Sequence, residues 1–146
     1  MKITFYALAI FLVSFLSGTA QEWQTNFDTA KKIARAENRP IILVFQGSDW
    51  CAPCIKLDRE VFSTEIFKLF AKDHYVMLKA DFPKRKKNTL PEAQQNHNNA
   101  LAEKYNKRGI FPFVVVLDKD GKVLGETGYI KSSPSEYIAH LEKIKG

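Results

Sequence analysis

Four short apolar runs rich in β-branched and aromatic residues alternate with longer amphipathic segments along the chain. The runs cover residues 41–45, 75–82, 113–117 and 122–127. The first is apolar throughout and lies between Pro40 and Gly47, which is typical of a strand buried on both faces of a sheet. Residues 118–121, Asp-Lys-Asp-Gly, form a turn sequence, so the last two runs are predicted to pair as a hairpin.

The segments between these runs carry apolar residues at the three- and four-residue spacing of helices. Helices are predicted at 26–38, at 52–72 with an interruption near Phe62 and Ser63, over about 90–107, and after a cap at Ser133 or Ser135. Helices and strands alternate early and a hairpin comes late. This order predicts an α/β fold with a central mixed β-sheet flanked by helices on both faces.

Composition and charge indicate how many domains the chain has and which partners it requires. The chain has 146 residues, 45% of them hydrophobic and 26% charged, which suits one globular domain with a buried core. The formal net charge of +6 favours solubility and does not require nucleic acid as a partner. Two cysteines are too few for a disulfide scaffold, so their meaning depends on where they lie.

The first twenty residues have the pattern of a secretory signal peptide. Lys2 precedes an apolar run over residues 3–16, and small residues including Gly18 and Ala20 follow. Cleavage before Gln21 is therefore predicted, leaving residues 21–146 as one domain. An uncleaved membrane anchor is the alternative, although the apolar run is shorter than the roughly 20 residues that span a bilayer. Exported proteins occupy oxidising compartments, in which disulfides are stable.

A basic and amide-rich stretch at about 83–99 is the one part of the domain that looks like a solvated insertion. It begins with Lys84, Arg85, Lys86 and Lys87 and continues with many Asn and Gln residues. Its second half has a weak helical pattern. Two interpretations stay open: a solvated loop, which we favour, or a surface that docks a partner.

Cys51-Ala52-Pro53-Cys54 lies where the buried strand gives way to a helix. Unpaired amides and a partial positive charge at a helix N-terminus stabilise a thiolate, which lowers the pKa of the first cysteine. Cys51 is thus the predicted accessible nucleophile. Cys54, one turn later, is expected to be shielded and to resolve a mixed disulfide formed on Cys51. Pro53 is tolerated because first-turn nitrogens have no intrahelical acceptor.

Two other interpretations of the cysteine pair are weaker. A purely structural disulfide that closes a four-residue loop stabilises the fold by only about 2 kcal/mol in the chain-entropy model. A stabilising disulfide is therefore not expected at this position. A structural zinc site needs four ligands, and His74, His97 and His140 lack the usual paired spacing. No metal or separate cofactor is therefore expected.

The segment from Ile41 to Cys54, IILVFQGSDWCAPC, resembles the active-site segment of the thioredoxin superfamily. The likeness is strongest to exported members with an Asp-Trp-Cys-x-x-Cys loop. It is also similar to the C-terminal domain of the periplasmic transmembrane thiol reductase, which has a downstream acid, here Asp58 or Glu60, and a phenylalanine, here Phe62. The resemblance covers nearly all of residues 23–146 and implies a thioredoxin-like fold.

Residues 109–114, Gly-Ile-Phe-Pro-Phe-Val, resemble the second signature of this superfamily, in which a cis-proline opens a strand facing the cysteines. The resemblance implies a cis bond before Pro112 and a Phe111 backbone that pairs with an extended substrate. A plain strand-opening proline is the alternative. Trp50 is expected to form an apolar contact surface with Ala52 and Pro53 beside Cys51, the alternative being a core tryptophan.

Three departures from the superfamily pattern stand out. Val44 and Phe45 are apolar where thioredoxins carry a buried acid that assists proton transfer from the resolving thiol. Ile55 follows the second cysteine where thioredoxins usually have Lys. The stretch between Cys51 and Pro112 is also longer than in a minimal thioredoxin, and the excess falls in the basic insertion.

The sequence therefore predicts an exported thiol:disulfide oxidoreductase that reduces disulfides in exported proteins through Cys51 and Cys54. The resemblance of Ala-Pro to the Gly-Pro of reducing thioredoxins favours the reducing direction. The expected partners are disulfide-containing exported proteins and a thiol donor such as a membrane thiol reductase. A monomer is expected, in the periplasm or, as the alternative, secreted. A non-catalytic thioredoxin-fold binding module with a structural disulfide is the competing hypothesis.

Overall fold

A computed structural model of the chain describes residues 21–146, so the predicted signal peptide lies outside the described residues. The strands are β1 (Trp23–Gln24), β2 (Ile41–Gln46), β3 (Val76–Asp81), β4 (Phe113–Leu117) and β5 (Val123–Thr127). They form one sheet in the order β1-β3-β2-β4-β5. β1 and β2 pair parallel with β3, whereas β4 pairs antiparallel with β2 and β5. The predicted mixed sheet and hairpin are confirmed, and β1 is an addition.

The helices are α1 (Phe27–Glu37), α2 (Ala52–Leu57), α3 (Glu65–His74), α4 (Glu92–Tyr105) and α5 (Pro134–Ile144). A π-helical turn, Asp58–Phe62, continues α2, and the predicted interruption follows it. Thr64 then caps α3 by accepting a hydrogen bond from the Phe67 amide. Ser133, and not Ser135, caps α5. Within residues 21–146 no helix combines the length and apolar character needed to cross a bilayer.

Alternating side chains of β2 fill two core layers, one on each face of the sheet. Ile41, Leu43 and Phe45 pack with residues of α1 and α4, while Ile42 and Val44 pack with residues of α2, α3 and α5. All five are at most 1% exposed. The strand is therefore buried on both faces, which confirms the interpretation of its continuous apolar sequence and the α/β fold with helices on both sides.

The sheet brings three loops together at one edge. Gln46, the last residue of β2, lies opposite Asp81 at the end of β3, and Phe45 lies opposite Phe113 at the start of β4. The cysteine loop, the chain after β3 and the chain before β4 consequently leave the sheet side by side. This edge is where the candidate site is formed.

The stretch predicted as a polar insertion divides into two parts. Residues 84–88 are exposed, with a 3-10 turn at Lys86–Asn88, and from Glu92 the chain forms α4 as its weak helical pattern suggested. Asn98, however, is only 1% exposed. The expectation of a solvated insertion is wrong at this position, because the Asn98 side chain hydrogen-bonds to the Asp81 carbonyl and to the Gln94 side chain.

Candidate active site

Cys51 and Cys54 are joined by a disulfide at the N-terminus of α2. Cys51 is the N-cap residue, and its Sγ accepts a hydrogen bond of 3.3 Å from the Cys54 amide. The Cys51 amide donates to the Gly47 carbonyl at 2.9 Å, which fixes the turn out of β2. A helix amide thus points at one sulfur of the pair, in the strand-loop-helix setting that the sequence predicts.

The two cysteines are equally buried in this disulfide form. Each is 4% exposed, whereas Ala52 and Pro53 between them are exposed. The expectation that Cys51 is accessible and Cys54 alone is shielded is therefore wrong for the oxidised pair. The disulfide ties the Cys51 side chain to the buried first turn of the helix, and that tie is absent from the sequence pattern.

Trp50 lies at the surface next to the disulfide and is 38% exposed, so the alternative of a core tryptophan is wrong. Its indole Nε1 donates to the Phe82 carbonyl at 2.7 Å. Its ring centroid lies 5.5 Å from that of Phe111, which in turn lies 5.5 Å from that of Phe82. These three rings, Trp50, Phe82 and Phe111, form a surface that we call the aromatic cluster.

Gly47 makes room for the indole of Trp50. A Cβ at this position would lie 2.2 Å from Trp50 Cε2, far inside van der Waals contact. The absence of a side chain at Gly47 is thus what allows the indole to lie against the loop. The sequence reading used Gly47 only as the end of a strand.

The Phe111–Pro112 peptide bond is cis. Phe111 is half-buried and joins the aromatic cluster, whereas Pro112 is buried. The structure therefore brings Trp50 and Phe111 of the predicted substrate-binding set into contact. Ala52 and Pro53 form the exposed outer side of the cysteine loop.

Asp49 ties the cysteine loop to the chain that follows β3. Its carboxylate accepts hydrogen bonds of 2.9 Å from the Lys84 amide, the Arg85 amide and the Asn88 Nδ2. These donors, the Lys84 amide above all, lower the pKa of Asp49 from 3.8 to about 2. The sequence reading missed this role because all of the donors lie more than thirty positions away.

The three histidines lie apart, and each has a local partner. His97 Nε2 accepts from the Phe27 amide at 3.0 Å, His74 Nδ1 lies 2.7 Å from the Phe70 carbonyl, and His140 Nε2 lies 2.9 Å from Thr127 Oγ1. Across residues 21–146 there is no group of three or more His, Cys, Asp or Glu side chains suited to hold a metal ion.

Comparison with known proteins decides the family. A family profile described as thioredoxin-like matches residues 22–119. This chain belongs to the thioredoxin-like family. It is 36% identical over 124 residues to a protein of Chlamydia pneumoniae named disulfide bond reductase DsbH, an alignment that covers 85% of this chain and 70% of that one.

Solved structures of thioredoxin-like proteins agree with the fold. A structure named DsbH oxidoreductase superposes with a TM-score of 0.79 at 32% identity, covering 86% of this chain and 85% of the other. A thioredoxin from Thermus thermophilus superposes with a TM-score of 0.62 at 19% identity, covering 86% and 87% of the two chains, and so supports the fold alone.

This thioredoxin-like protein has a polar pocket beside Cys54 in place of a buried acid on the strand. Val44 and Phe45 are 1% and 0% exposed within the apolar layers. A pocket of about 230 Å³ instead borders Cys54, and its charged lining residues are Asp58 and Lys79. The remaining lining residues are Trp23, Gln46, Ser48 and Ile55.

Proposed function

We propose that this thioredoxin-like protein is an exported thiol:disulfide oxidoreductase that reduces disulfides of exported proteins. The observation that carries the proposal is the N-cap position of Cys51, whose Sγ accepts the hydrogen bond of the Cys54 amide. The similarity to a protein named disulfide bond reductase supports the reducing direction. Residues 1–20, with their signal-peptide pattern, support export.

The reaction begins from the dithiol form of the protein. Cys51 loses a proton, and its thiolate, stabilised by the amides at the start of α2, attacks one sulfur of a substrate disulfide. The S–S bond of the substrate breaks, a Cys51–substrate mixed disulfide forms, and the first substrate sulfur leaves as a thiolate that takes up a proton. The substrate is then held by one covalent bond.

Cys54 completes the exchange. After losing its proton, the Cys54 thiolate attacks Cys51 Sγ, the mixed disulfide breaks, and the second substrate sulfur leaves and is protonated. Two electrons have then passed from the protein to the substrate, and the Cys51–Cys54 disulfide described above is the product. A separate thiol donor must reduce it for the next cycle, and a membrane thiol reductase would supply such electrons.

The substrate would be held on the exposed surface around the disulfide. Trp50 and Phe111 offer apolar area, Ala52 and Pro53 offer the exposed turn, and the backbone before Pro112 offers groups that an extended segment could pair with. Cys51 is 4% exposed in the disulfide form, which is the form that the thiol donor, and not the substrate, meets.

Insulin reduction in the presence of dithiothreitol tests the proposal. The wild type is expected to accelerate precipitation of the insulin B chain, and Cys51→Ser is expected to abolish the acceleration because the attacking sulfur is lost. Cys54→Ala serves as the matched variant. After it is reduced and freed of dithiothreitol, it should retain attack by Cys51 and accumulate mixed disulfides with insulin. Equal rates for the wild type and Cys51→Ser would instead favour the binding module.

Export is tested with the full chain expressed in a Gram-negative host. The product is expected in the periplasmic fraction, and sequencing of its N-terminus is expected to begin at Gln21. A product that keeps Met1 and stays in the cytoplasmic fraction would refute export and leave the redox chemistry untouched.

A further inference from the structure

A strongly basic segment lies beside the cysteine loop and has no part in the chemistry described so far. Lys84, Arg85, Lys86 and Lys87 are all exposed. None of the four forms an ion pair with an acidic side chain in the described part of the chain, whose ion pairs all lie elsewhere. We call residues 84–87 the basic segment.

Two contacts hold the basic segment at the active-site edge. Asp49, two positions before Cys51, accepts hydrogen bonds from the Lys84 and Arg85 amides. The Lys84 ammonium lies 3.8 Å from the centroid of the Trp50 ring, in cation–π contact. Residues 85–87 follow as an exposed basic stretch.

The carboxylates at this edge offset only part of this charge. Asp49 and Asp81 carry two negative charges against the four cations of the basic segment, and both are held by hydrogen bonds within the protein. Asp81 Oδ1 accepts from the Ser48 amide at 2.9 Å and its Oδ2 from Ser48 Oγ at 2.6 Å. The edge therefore presents an excess of positive charge next to the aromatic cluster, in which Trp50 is exposed.

We propose that the basic segment docks acidic residues flanking the disulfide of a substrate polypeptide, so that the protein prefers cystines in acidic sequence. This inference rests on the proposed reductase activity and names the substrate class of that same site. The aromatic cluster contacts apolar side chains near the cystine, while the cations beside it attract carboxylates and speed the encounter. The electron transfer itself is the two-step exchange described above.

The test compares two synthetic peptides that contain the same intramolecular cystine. One has Asp and Glu on both sides of the disulfide, and the other has Asn and Gln at the same positions. Pre-reduced protein is mixed with each peptide, samples are quenched with acid, and chromatography gives the second-order rate constant for reduction. The quantity of interest is the ratio of the acidic to the amide rate constant for each protein variant, because intrinsic differences between the peptides cancel when variants are compared.

Two triple variants provide the comparison. The segment variant carries Arg85→Gln, Lys86→Gln and Lys87→Gln, and it keeps Lys84 because that side chain contacts Trp50. The remote variant carries Lys32→Gln, Lys72→Gln and Lys143→Gln, three exposed residues on α1, α3 and α5. Both variants lose the same charge. Neither removes a hydrogen bond to Asp49, because Asp49 binds backbone amides and Asn88.

At low ionic strength the rate ratio is expected to fall at least about fivefold in the segment variant and to stay within about twofold of wild type in the remote variant. Raising the salt to about 500 mM should lower the wild-type ratio toward that of the segment variant, because exposed charges are screened. An unchanged ratio in the segment variant, or an equal fall in both variants, overturns the inference. If the segment variant misfolds, the single variants Lys87→Gln and Lys32→Gln replace the triple variants, and an equal ratio for the two overturns the inference.

Failure of the proposed function gives a different result. A wild type that reduces neither peptide refutes the reductase, and the docking inference is then judged by binding alone. Fluorescence anisotropy with a dye-labelled acidic peptide in which serines replace the cysteines supplies that measurement. Docking is supported if the segment variant binds more weakly than both the wild type and the remote variant. Equal binding by all three proteins rejects it.

Discussion

At the residue scale, Asp49 determines how the loops around the disulfide are joined. One carboxylate accepts hydrogen bonds from the Lys84 amide, the Arg85 amide and the Asn88 side chain. Since these donors favour the charged form, the pKa of Asp49 falls to about 2. The charge of this side chain, together with the Lys84–Trp50 contact, therefore helps to hold the basic segment beside the cysteine loop.

The contact between Asp49 and the basic segment should be lost only in strong acid. A pKa lowered from 3.8 to about 2 by folding means that the carboxylate stabilises the folded loop above pH 3.8 and ceases to do so as the pH falls through about 2. The amide proton shifts of Lys84 and Arg85 are expected to titrate with a midpoint near pH 2. In Asp49→Asn these shifts should not titrate in that range. A wild-type midpoint near 3.8 would contradict the described contacts.

At the element scale, α4 is attached to the sheet through a buried amide. Asn98 Nδ2 donates to the Asp81 carbonyl at 2.9 Å, and its Oδ1 accepts from Gln94 Nε2 at 2.8 Å. Asp81 ends β3, and its carboxylate holds Ser48 of the cysteine loop. A helix of weak amphipathic pattern is thus fixed next to the active-site edge by polar contacts as well as by Leu101 and Tyr105.

Removal of this amide should lower the free energy of unfolding. Asn98→Ala leaves the Asp81 carbonyl without its donor, and we expect a loss of about 1–3 kcal/mol in urea denaturation. Asn99→Ala is the matched control on the same helix. The Asn99 side chain is exposed, and its Oδ1 accepts a hydrogen bond from Gln95 Nε2. The free energy of unfolding is therefore expected to change by no more than about 0.5 kcal/mol. Equal effects of the two substitutions would show that Asn98 does not attach α4.

At the scale of the whole molecule, the apolar layers on the two faces of the sheet are expected to contribute more to stability than the disulfide does. β2 contributes to both layers with side chains that are at most 1% exposed. The disulfide closes a loop of sequence separation three. A redox pair of this kind can open and close during catalysis while the fold stays intact.

Reduction of the disulfide is therefore expected to lower the free energy of unfolding by about 2 kcal/mol or less. Leu43→Ala, which removes a fully buried side chain from β2, is expected to cost about 2–5 kcal/mol. Urea denaturation with and without dithiothreitol measures the first effect, and denaturation of the variant measures the second. A reduced protein that is unfolded without urea would assign the disulfide a structural role.

Features that depend on neighbouring residues could be predicted from the sequence. The continuous apolar run of β2, the hairpin turn at 118–121 and the cysteine pair at the start of α2 each follow from local patterns, and all three are confirmed. β1 was not predicted, because a strand of two residues is too short to show an alternation of apolar and polar positions. Tertiary structure alone decided which loops meet at the sheet edge, because strand pairing brings together segments that are distant along the chain.

Two outcomes depend on contacts between segments that are distant along the chain. Asp49 accepts hydrogen bonds from Lys84, Arg85 and Asn88, and Asn98, on α4, is buried against the end of β3. A carboxylate, a thiol or an amide looks the same in sequence whether its partner is water or a distant backbone group. Only the arrangement of β2, β3 and β4 supplies those partners, and with them the surroundings of the redox pair.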